Sequence, residues 1–271
     1  MAKADGRRPV AWAMGAVIVL VMLSMWVTSW WILVRRSCQV RGARCGVVSA
    51  ARGRYRAADG SGNVFVMGIT DSPNFPVQNA GTFFQGTYAG IRDVFILKFD
   101  NLGNRLWATY YGGSGDEYTV LPTYDNLAID NCGNVYVSFE TTTNPFPYLQ
   151  NSCDAGYFDN IYNGGPRDIL LSLFTNTGAL LWCSYFGGDG DDFRSPLTVD
   201  ANNNLFVSGE WTVVTSSTTY PVTDPGGGAY YDPTFNGGGD DGFIVKFCSN
   251  ACICSPSNGC TVTSALATSI T

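Results

Sequence analysis

The chain has 271 residues, a formal net charge of −6 and no histidine. Its charge is divided unevenly: residues 1–56 hold ten of the sixteen Lys and Arg against one acidic residue, whereas residues 57–271 hold six against twenty-one. The acidic main part argues against a nucleic-acid surface, which needs clustered Lys and Arg to neutralise phosphates. The absence of histidine excludes Ser-His-Asp triads and histidine-ligated metals, and it removes the most common general base.

An uncharged stretch of 25 residues, 10–34, lies between Arg8 and Arg35. As a helix it could cross a hydrocarbon core of about 30 Å with some tilt, so we expect a membrane-spanning helix at residues 10–34. A signal peptide and a wrongly assigned start of the reading frame are the alternatives. Seven Arg between residues 35 and 56 would place the following repeats in the cytoplasm, whereas nine Cys favour an oxidising compartment. We expect a membrane-anchored or secreted protein with extracellular or periplasmic repeats.

After this segment, short strand-like sequence motifs, called words below, recur about every seventy residues. The first word is DGSGNVFVMGIT from Asp59, DNCGNVYVSFET from Asp130 and DANNNLFVSGEW from Asp200. The second is DVFILKF from Asp93, DILLSLF from Asp168 and DGFIVKF from Asp241, and the third is LWATYYGGSGDE from Leu106 and LWCSYFGGDGDD from Leu181. A fixed period of short strands is typical of radial or stacked β-architectures, in which each unit buries its apolar faces against its neighbours.

Each unit is predicted to have four antiparallel strands. In the second copy these are about 124–130, 134–141, 168–175 and 179–186. Asp-Gly turns such as DNCGN join the first strand to the second, and similar turns join the third to the fourth. Connections of more than twenty residues, 71–92, 142–167 and 211–240, join the second strand to the third. We expect these long loops and the Gly-Asp links 112–117 and 187–192 to share one face, which is where binding usually lies.

The words resemble those of the SBBP family of bacterial seven-bladed β-propeller repeats, over nearly all of residues 57–247. That resemblance implies a propeller fold in a secreted or cell-surface bacterial protein and transfers no catalytic residues. We therefore expect an all-β, incomplete β-propeller of about three blades in an open arc, 57–118, 119–192 and 193–247, followed by a Cys-rich tail, 248–271. The first blade should lack a clear innermost strand, because Arg56 stands where the second copy has Leu127. Such a chain would be a fragment, a truncated paralogue or one part of an oligomer.

The acidic links are the candidate metal site. Carboxylates beside flexible glycines suit Ca²⁺, and plain solvated turns are the alternative. The candidate calcium ligands are Asp116, Glu117, Asp189, Asp191 and Asp192.

The tryptophans and cysteines are predicted to be structural. Trp107 and Trp182 occupy the same place in two units and should fill the space between blades. The tail cysteines favour two disulfides over a thiolate metal site, and the cysteines of the second unit could supply a further bridge. These residues are Cys248, Cys252, Cys254 and Cys260 in the tail, and Cys132, Cys153 and Cys183 in the second unit.

For function, the sequence favours a non-enzymatic scaffold that binds a protein or a glycan through its long-loop face. The alternative is a polysaccharide-active or quinoprotein-like propeller enzyme that uses the acidic links. No nucleic-acid partner is expected. The membrane would be reached through residues 10–34, and the open sheet edges could support self-association.

Overall fold

The computed structural model describes residues 52–118, 125–152, 157–213, 220–224 and 231–247. Every regular element in these ranges is a β-strand, and the strands pair antiparallel, so the all-β prediction is confirmed. The predicted helix at 10–34 and the tail at 248–271 lie outside the described residues. Within the ranges given, no helix is long and apolar enough to span a membrane.

The first sheet is a four-stranded meander in the order β1–β2–β3–β4. Its strands are β1 (Arg52–Ala58), β2 (Val64–Thr70), β3 (Asp93–Phe99) and β4 (Arg105–Tyr111). The expectation that this unit lacks an innermost strand was wrong, since β1 pairs with β2 from Ala58↔Val64 onwards. Side chains alternate across a strand, so Arg56 points to solvent while its neighbour Tyr55 is buried in the core.

The second and third sheets repeat this plan, but their innermost strand is divided in two. In the second sheet, β5 (Glu117–Tyr118) and β6 (Leu127–Ile129) both pair with β7 (Val135–Thr141), followed by β9 (Asp168–Phe174) and β10 (Leu180–Phe186), with β8 (Gln150–Asn151) along the outer edge. In the third, β11 (Asp192–Phe193) and β12 (Leu197–Val199) both pair with β13 (Leu205–Trp211), and β14 (Asp241–Phe247) pairs on its other side. The Gly-Asp links thus lead directly into the next sheet.

The three sheets pack face to face, with β6 in contact with both β1 and β12. One apolar core fills the space between the first and second sheets, and another fills the space between the second and third. We call these interfaces the first and second junctions. Trp107 is buried in the first and Trp182 in the second, which confirms their predicted packing role. Consecutive sheets with adjacent innermost strands are consistent with propeller-like blades.

The tight turns have the predicted chemistry. In the Asp59 turn, the backbone N–H groups of Ser61 and Asn63 donate to Asp59 Oδ1 at 2.9 and 3.0 Å, and the Asn63 side chain donates to Oδ2 at 2.7 Å. The turns at Asp100, Asp130 and Asp200 repeat these bonds. These aspartates therefore form the turns, as expected.

The long loops differ from the prediction in where they run. In the first and second units the loop leaves the end of the second strand and folds along the outer edge of the sheet, where Gln78 bridges to Ala108, Gln85 bridges to Tyr110 and β8 pairs with β10. Unpaired edge groups attract other strands, so the loops protect the fourth strand. The loops consequently cover an edge for much of their length and only partly form the expected face.

A tyrosine holds the aromatic-proline step in place in the first and second units. The Tyr110 hydroxyl accepts the Phe75 N–H at 2.8 Å and donates to the Ser72 carbonyl at 2.7 Å. Tyr185 does the same with Phe146 at 2.8 Å and the Thr143 carbonyl at 2.6 Å. In these two units the loop is therefore fixed to its sheet by a tyrosine of the third repeated word.

Candidate functional site at the blade junctions

Asp116 and Asp191, two of the candidate ligands, each bind an arginine. Arg92 donates from Nε and Nη2 to the two oxygens of Asp116, both at 2.7 Å. Arg167 binds Asp191 in the same way at 2.8 and 2.5 Å. Each arginine precedes the third strand of one sheet, whereas its aspartate opens the innermost strand of the next. These forked pairs therefore join consecutive sheets.

The same arginines stack on aromatic rings. Arg92 lies 4.3 Å from the centre of the Tyr118 ring, and Arg167 lies 5.7 Å from Tyr118 and 5.1 Å from Phe193. The Arg194 guanidinium lies 5.1 Å from the centre of the Phe193 ring. The three arginines and the two rings thus form one guanidinium row. The sequence reasoning missed this guanidinium row. Its signal was present, since an Arg-Asp step opens the second word in two copies and an aromatic residue follows each acidic link.

Glu117 is fully buried in the first junction. Its Oε1 accepts the hydroxyls of Thr141 at 2.9 Å and Thr143 at 2.7 Å, and its Oε2 accepts the Gly113 N–H at 3.2 Å. Burial raises the pKa of Glu117 to about 7, while the two threonine hydroxyls act in the opposite direction. Glu117 therefore takes up a proton more readily than an exposed glutamate does, and its hydrogen-bond partners are structural groups.

Asp93 lies beside Glu117 and is satisfied by an amide. A Cβ on Gly112 would lie 2.6 Å from Glu117 Oε2 and 2.7 Å from Asp93 Oδ1, so the two carboxyl groups converge on a position that only glycine fits. Gln85 bridges this arrangement: its Nε2 donates to Asp93 Oδ2 at 3.1 Å and its Oε1 accepts the Gly112 N–H at 2.9 Å. Burial raises the pKa of Asp93 to about 6.

The second junction has the same arrangement of strands and links but different buried polar residues. Asp192 is fully buried, its Oδ2 accepts the Gly188 N–H at 3.0 Å, and burial raises its pKa well above the usual range. Burial also raises the pKa of Asp168 to about 7. Asp159 occupies the position of Gln85, because its carbonyl accepts the Tyr185 N–H as that of Gln85 accepts the Tyr110 N–H.

A carboxylate cannot donate a hydrogen bond, so Asp159 cannot replace the bridging glutamine. In the described ranges, Oδ1 of Asp168 and Oδ1 of Asp192 have no hydrogen-bond partner. The remaining candidate ligand, Asp189, is half-buried in the same link. The second junction thus concentrates buried acidic groups that its own donors do not fully satisfy.

The structure gives the calcium hypothesis no direct support. Within the part of the chain that the structure describes, no three Asp, Glu, Cys or His side chains are grouped closely enough to hold a metal ion. Asp116 and Asp191 are occupied by arginines, and Glu117 is occupied by two threonines. Calcium binding at these links remains a prediction.

Two cysteines fall in the described ranges. Cys132 is disulfide-bonded. Cys183 is free and buried, so the option that it forms the further bridge was wrong. The Tyr111 hydroxyl donates to its sulfur at 3.1 Å, and burial raises the pKa of this thiol to about 12, which makes it unreactive. The predicted bridges of the tail lie outside the described residues.

Comparison with known proteins supports the repeat architecture in general terms. No known protein-family profile matches the chain, so its likeness to SBBP repeats remains a resemblance. The chain is 24% identical over 151 residues to an uncharacterized WD repeat-containing protein of Acanthamoeba polyphaga mimivirus. That match covers 52% of this chain but 10% of the relative, so the chain corresponds to a small part of it. WD repeats form propeller blades, and the likeness agrees with the sheets and their packing.

Proposed function

We propose that this chain is a non-enzymatic, propeller-type scaffold that binds a protein or a glycan, outside the cell or in the periplasm. The observation that carries the proposal is that the acidic groups predicted for chemistry serve the junctions. Asp116 and Asp191 bind arginines, and Glu117 and Asp192 are fully buried. Glycoside hydrolysis requires two carboxyl groups that reach the substrate. This arrangement therefore disfavours the alternative, a polysaccharide-active or quinoprotein-like enzyme.

The returning halves of two long loops form the favoured binding surface. We call residues 86–92 and 157–167 the loop rim. Ile91 is 67% exposed and Ile161 is 65% exposed, and Phe158 is 39% exposed. Exposed apolar side chains on a polar background are typical of protein-binding surfaces. A sugar site would instead use aromatic plates with polar ends, so we favour a protein partner over a glycan.

Negative charges introduced on the loop rim test this function. The double variant Ile91→Asp and Ile161→Asp should keep its melting temperature and lose at least tenfold in affinity for a partner found by cross-linking to wild-type protein. Leu106→Asp is the matched control, because Leu106 is 40% exposed at the start of β4, at the opposite end of the strands. Partner binding that survives the double variant, or selective binding on a glycan array with no protein partner, would contradict the rim assignment.

The same preparation tests the enzymatic alternative. We expect no turnover of soluble polysaccharides by the wild-type chain. Turnover that Glu117→Gln abolishes would establish the enzyme reading and overturn the scaffold proposal.

A further inference from the structure

The third sheet has one face that no described element covers. Its residues are half-buried, apart from Ile244, which is 36% exposed. The residues of this face are Phe206, Ser208, Glu210, Gly242, Ile244 and Lys246. The corresponding face of the second sheet is entirely buried under the third sheet. Every residue of β7 and β9 is buried, whereas buried and accessible residues alternate along β14. Among the described residues, the second sheet therefore has a neighbour on both sides, and the third sheet has a face with no described neighbour, called its free face below.

The first junction shows what such a face receives. The Lys98 ammonium donates to the Asn176 carbonyl at 3.0 Å and also to the Asn176 side-chain oxygen. The Asn176 amide in turn donates to Asp59 Oδ2 at 3.2 Å, and Lys98 lies 4.8 Å above the Phe65 ring. Asn176 is the second residue of the turn that joins the third and fourth strands of the second sheet. Asp59, Phe65 and Lys98 thus form a clamp that seats a turn of the following sheet.

The third sheet repeats this clamp on its free face. Asp200, Phe206 and Lys246 occupy the positions of Asp59, Phe65 and Lys98 in the repeat. Lys246 lies 5.7 Å from the centre of the Phe206 ring. The hydrogen bond from the Asn204 side chain lowers the pKa of Asp200, and the positive charge of Lys246 acts in the same direction.

The clamp does not follow automatically from the repeat, because the second sheet lacks it. Leu173 stands there in place of the lysine and belongs to the apolar core of the second junction. Lys246 has no hydrogen-bonded partner in the described residues, whereas Lys98, at the same position, is buried with two acceptors. The third sheet therefore carries an assembled receptor for an asparagine-bearing turn.

We propose that the occupant is a second copy of this chain, which docks its first sheet on this face. The first sheet carries the required turn, Asp100 to Asn104, with Asn101 at the position of Asn176. The turn has the same internal hydrogen bonds, from Leu102 and Asn104 to Asp100 Oδ1. Asn101 is exposed, and its amide makes one long contact, 3.5 Å to the Ser61 carbonyl.

The proposed contact is head-to-tail. The Asp100–Asn104 turn of one copy would enter the clamp on the third sheet of another. A contact between two different surfaces of the same chain does not close by itself, so copies add successively unless a ring forms. This inference rests on the packing of the sheets and is independent of the partner proposed for the loop rim.

Two complementary variants test the contact by sedimentation velocity on the purified full chain, from about 1 to 100 μM, a range suited to weak association. Lys246→Glu blocks the clamp and keeps the turn. Leu102→Glu blocks the turn and keeps the clamp. Wild-type chains should form a series of oligomers that grows with concentration, and each variant alone should be monomeric, with at least tenfold weaker association. An equimolar mixture of the two variants should form dimers and nothing larger.

Lys246→Arg is the matched control and should assemble as the wild type does, because it keeps the positive charge over Phe206. Unchanged melting temperatures would show that the variants fold. A wild-type chain that stays monomeric throughout the range, assembly that both variants leave unchanged, or a variant mixture that stays monomeric would each overturn the proposal. The second of these results would assign association to another surface.

Discussion

The two junctions share a plan and differ in how their buried polar groups are satisfied. Both contain a forked Arg-Asp pair, a buried acidic group after the link and a glycine close to that acid. In the first, Gln85 and two threonines supply the missing donors. In the second, a carboxylate replaces that glutamine, and Oδ1 of Asp168 and Oδ1 of Asp192 are among the buried carboxyl oxygens that have no hydrogen-bond partner in the described ranges. The difference teaches that repeated units can keep their geometry while a few side-chain donors determine whether the buried acidic groups are satisfied.

The largest expected effect tests whether the two junctions contribute equally to stability. Tyr111 and Phe186 occupy equivalent positions, and each ring contacts at least four aromatic neighbours within 6 Å. Truncation of either to alanine should lower the free energy of unfolding by about 3–5 kcal/mol, measured by urea denaturation.

Tyr111→Ala should cost more than Phe186→Ala, since its hydroxyl also bonds Ser172 at 2.7 Å. Tyr111→Phe isolates that bond and should cost about 1 kcal/mol. A cost below about 1 kcal/mol for either alanine variant would show that the rings do not hold the sheets together.

The next prediction gives the first junction the residue type that the second junction has at the position of Gln85. Gln85→Asp gives the first junction the carboxylate of the second, removes the donor to Asp93 and leaves the Gly112 N–H without its acceptor. We expect a loss of about 2–3 kcal/mol in unfolding free energy at pH 8, because buried polar groups are left unpaired beside two other acids. Gln85→Glu is the control, since it can still accept from Gly112. If Gln85→Asp is as stable as wild type, the difference in hydrogen bonding between the two junctions does not affect the free energy of unfolding.

The third effect uses pH. Burial raises the pKa of Asp168 from 3.8 to about 7 and that of Glu117 from 4.5 to about 7. A folded-state pKa above the unfolded value means that the folded chain holds protons which the unfolded chain has released. The stability present below about pH 4 is therefore lost as the pH rises towards 7. The melting temperature should fall between pH 5 and pH 8.

Asp168→Asn should remove part of this dependence. At pH 8 the variant should be more stable than wild type by about 1–3 kcal/mol, because it avoids burying a charge with an unpaired oxygen. At pH 4 the difference should largely disappear. Asp100→Asn is the exposed control, and it should lose stability instead, because its carboxylate accepts two backbone N–H groups in a turn. A gain for Asp168→Asn that is independent of pH would contradict the proposed cause.

The sequence predicted those features whose causes are local. The Asp-x-x-Gly-Asn turns are complete within five residues, so the residue types at Asp59, Gly62 and Asn63 were sufficient. Strands β7, β9 and β10 were placed within one residue of their observed bounds, because alternating apolar residues and flanking turns define them. β1 was missed, because its basic composition hid the buried Tyr55, which packs in the first junction.

Contacts between distant residues could not be predicted from the pattern alone. The Phe75–Tyr110 bond joins residues 35 positions apart, and the Arg92–Asp116 pair joins residues 24 apart. Both depend on how the loop folds back along the sheet. The composition of the acidic links did not reveal their partners, because these are arginines and threonines that lie elsewhere in the chain. Charge and glycine content indicate where a site lies more readily than they indicate what occupies it.

The smallest expected effect concerns calcium. If Asp189, Asp191 and Asp192 held Ca²⁺, an ion concentration of one hundred times Kd would stabilise the chain by about 2.7 kcal/mol. For a chain of this size, each kcal/mol corresponds to about 2–4 °C in Tm. We expect a rise of less than about 1 °C with millimolar Ca²⁺ relative to a chelator, because Arg167 occupies both oxygens of Asp191.

Arg167→Ala makes this comparison decisive, because it frees Asp191 and leaves the link intact. The variant should be less stable than wild type in chelator, since its aspartate lies in a junction without its partner. If it gains stability from Ca²⁺ and wild type does not, the arginine is what keeps the link from binding metal. If wild type itself gains several degrees and Asp189→Asn abolishes the gain, the acidic link is a calcium site and Arg167 must release Asp191 when the ion binds.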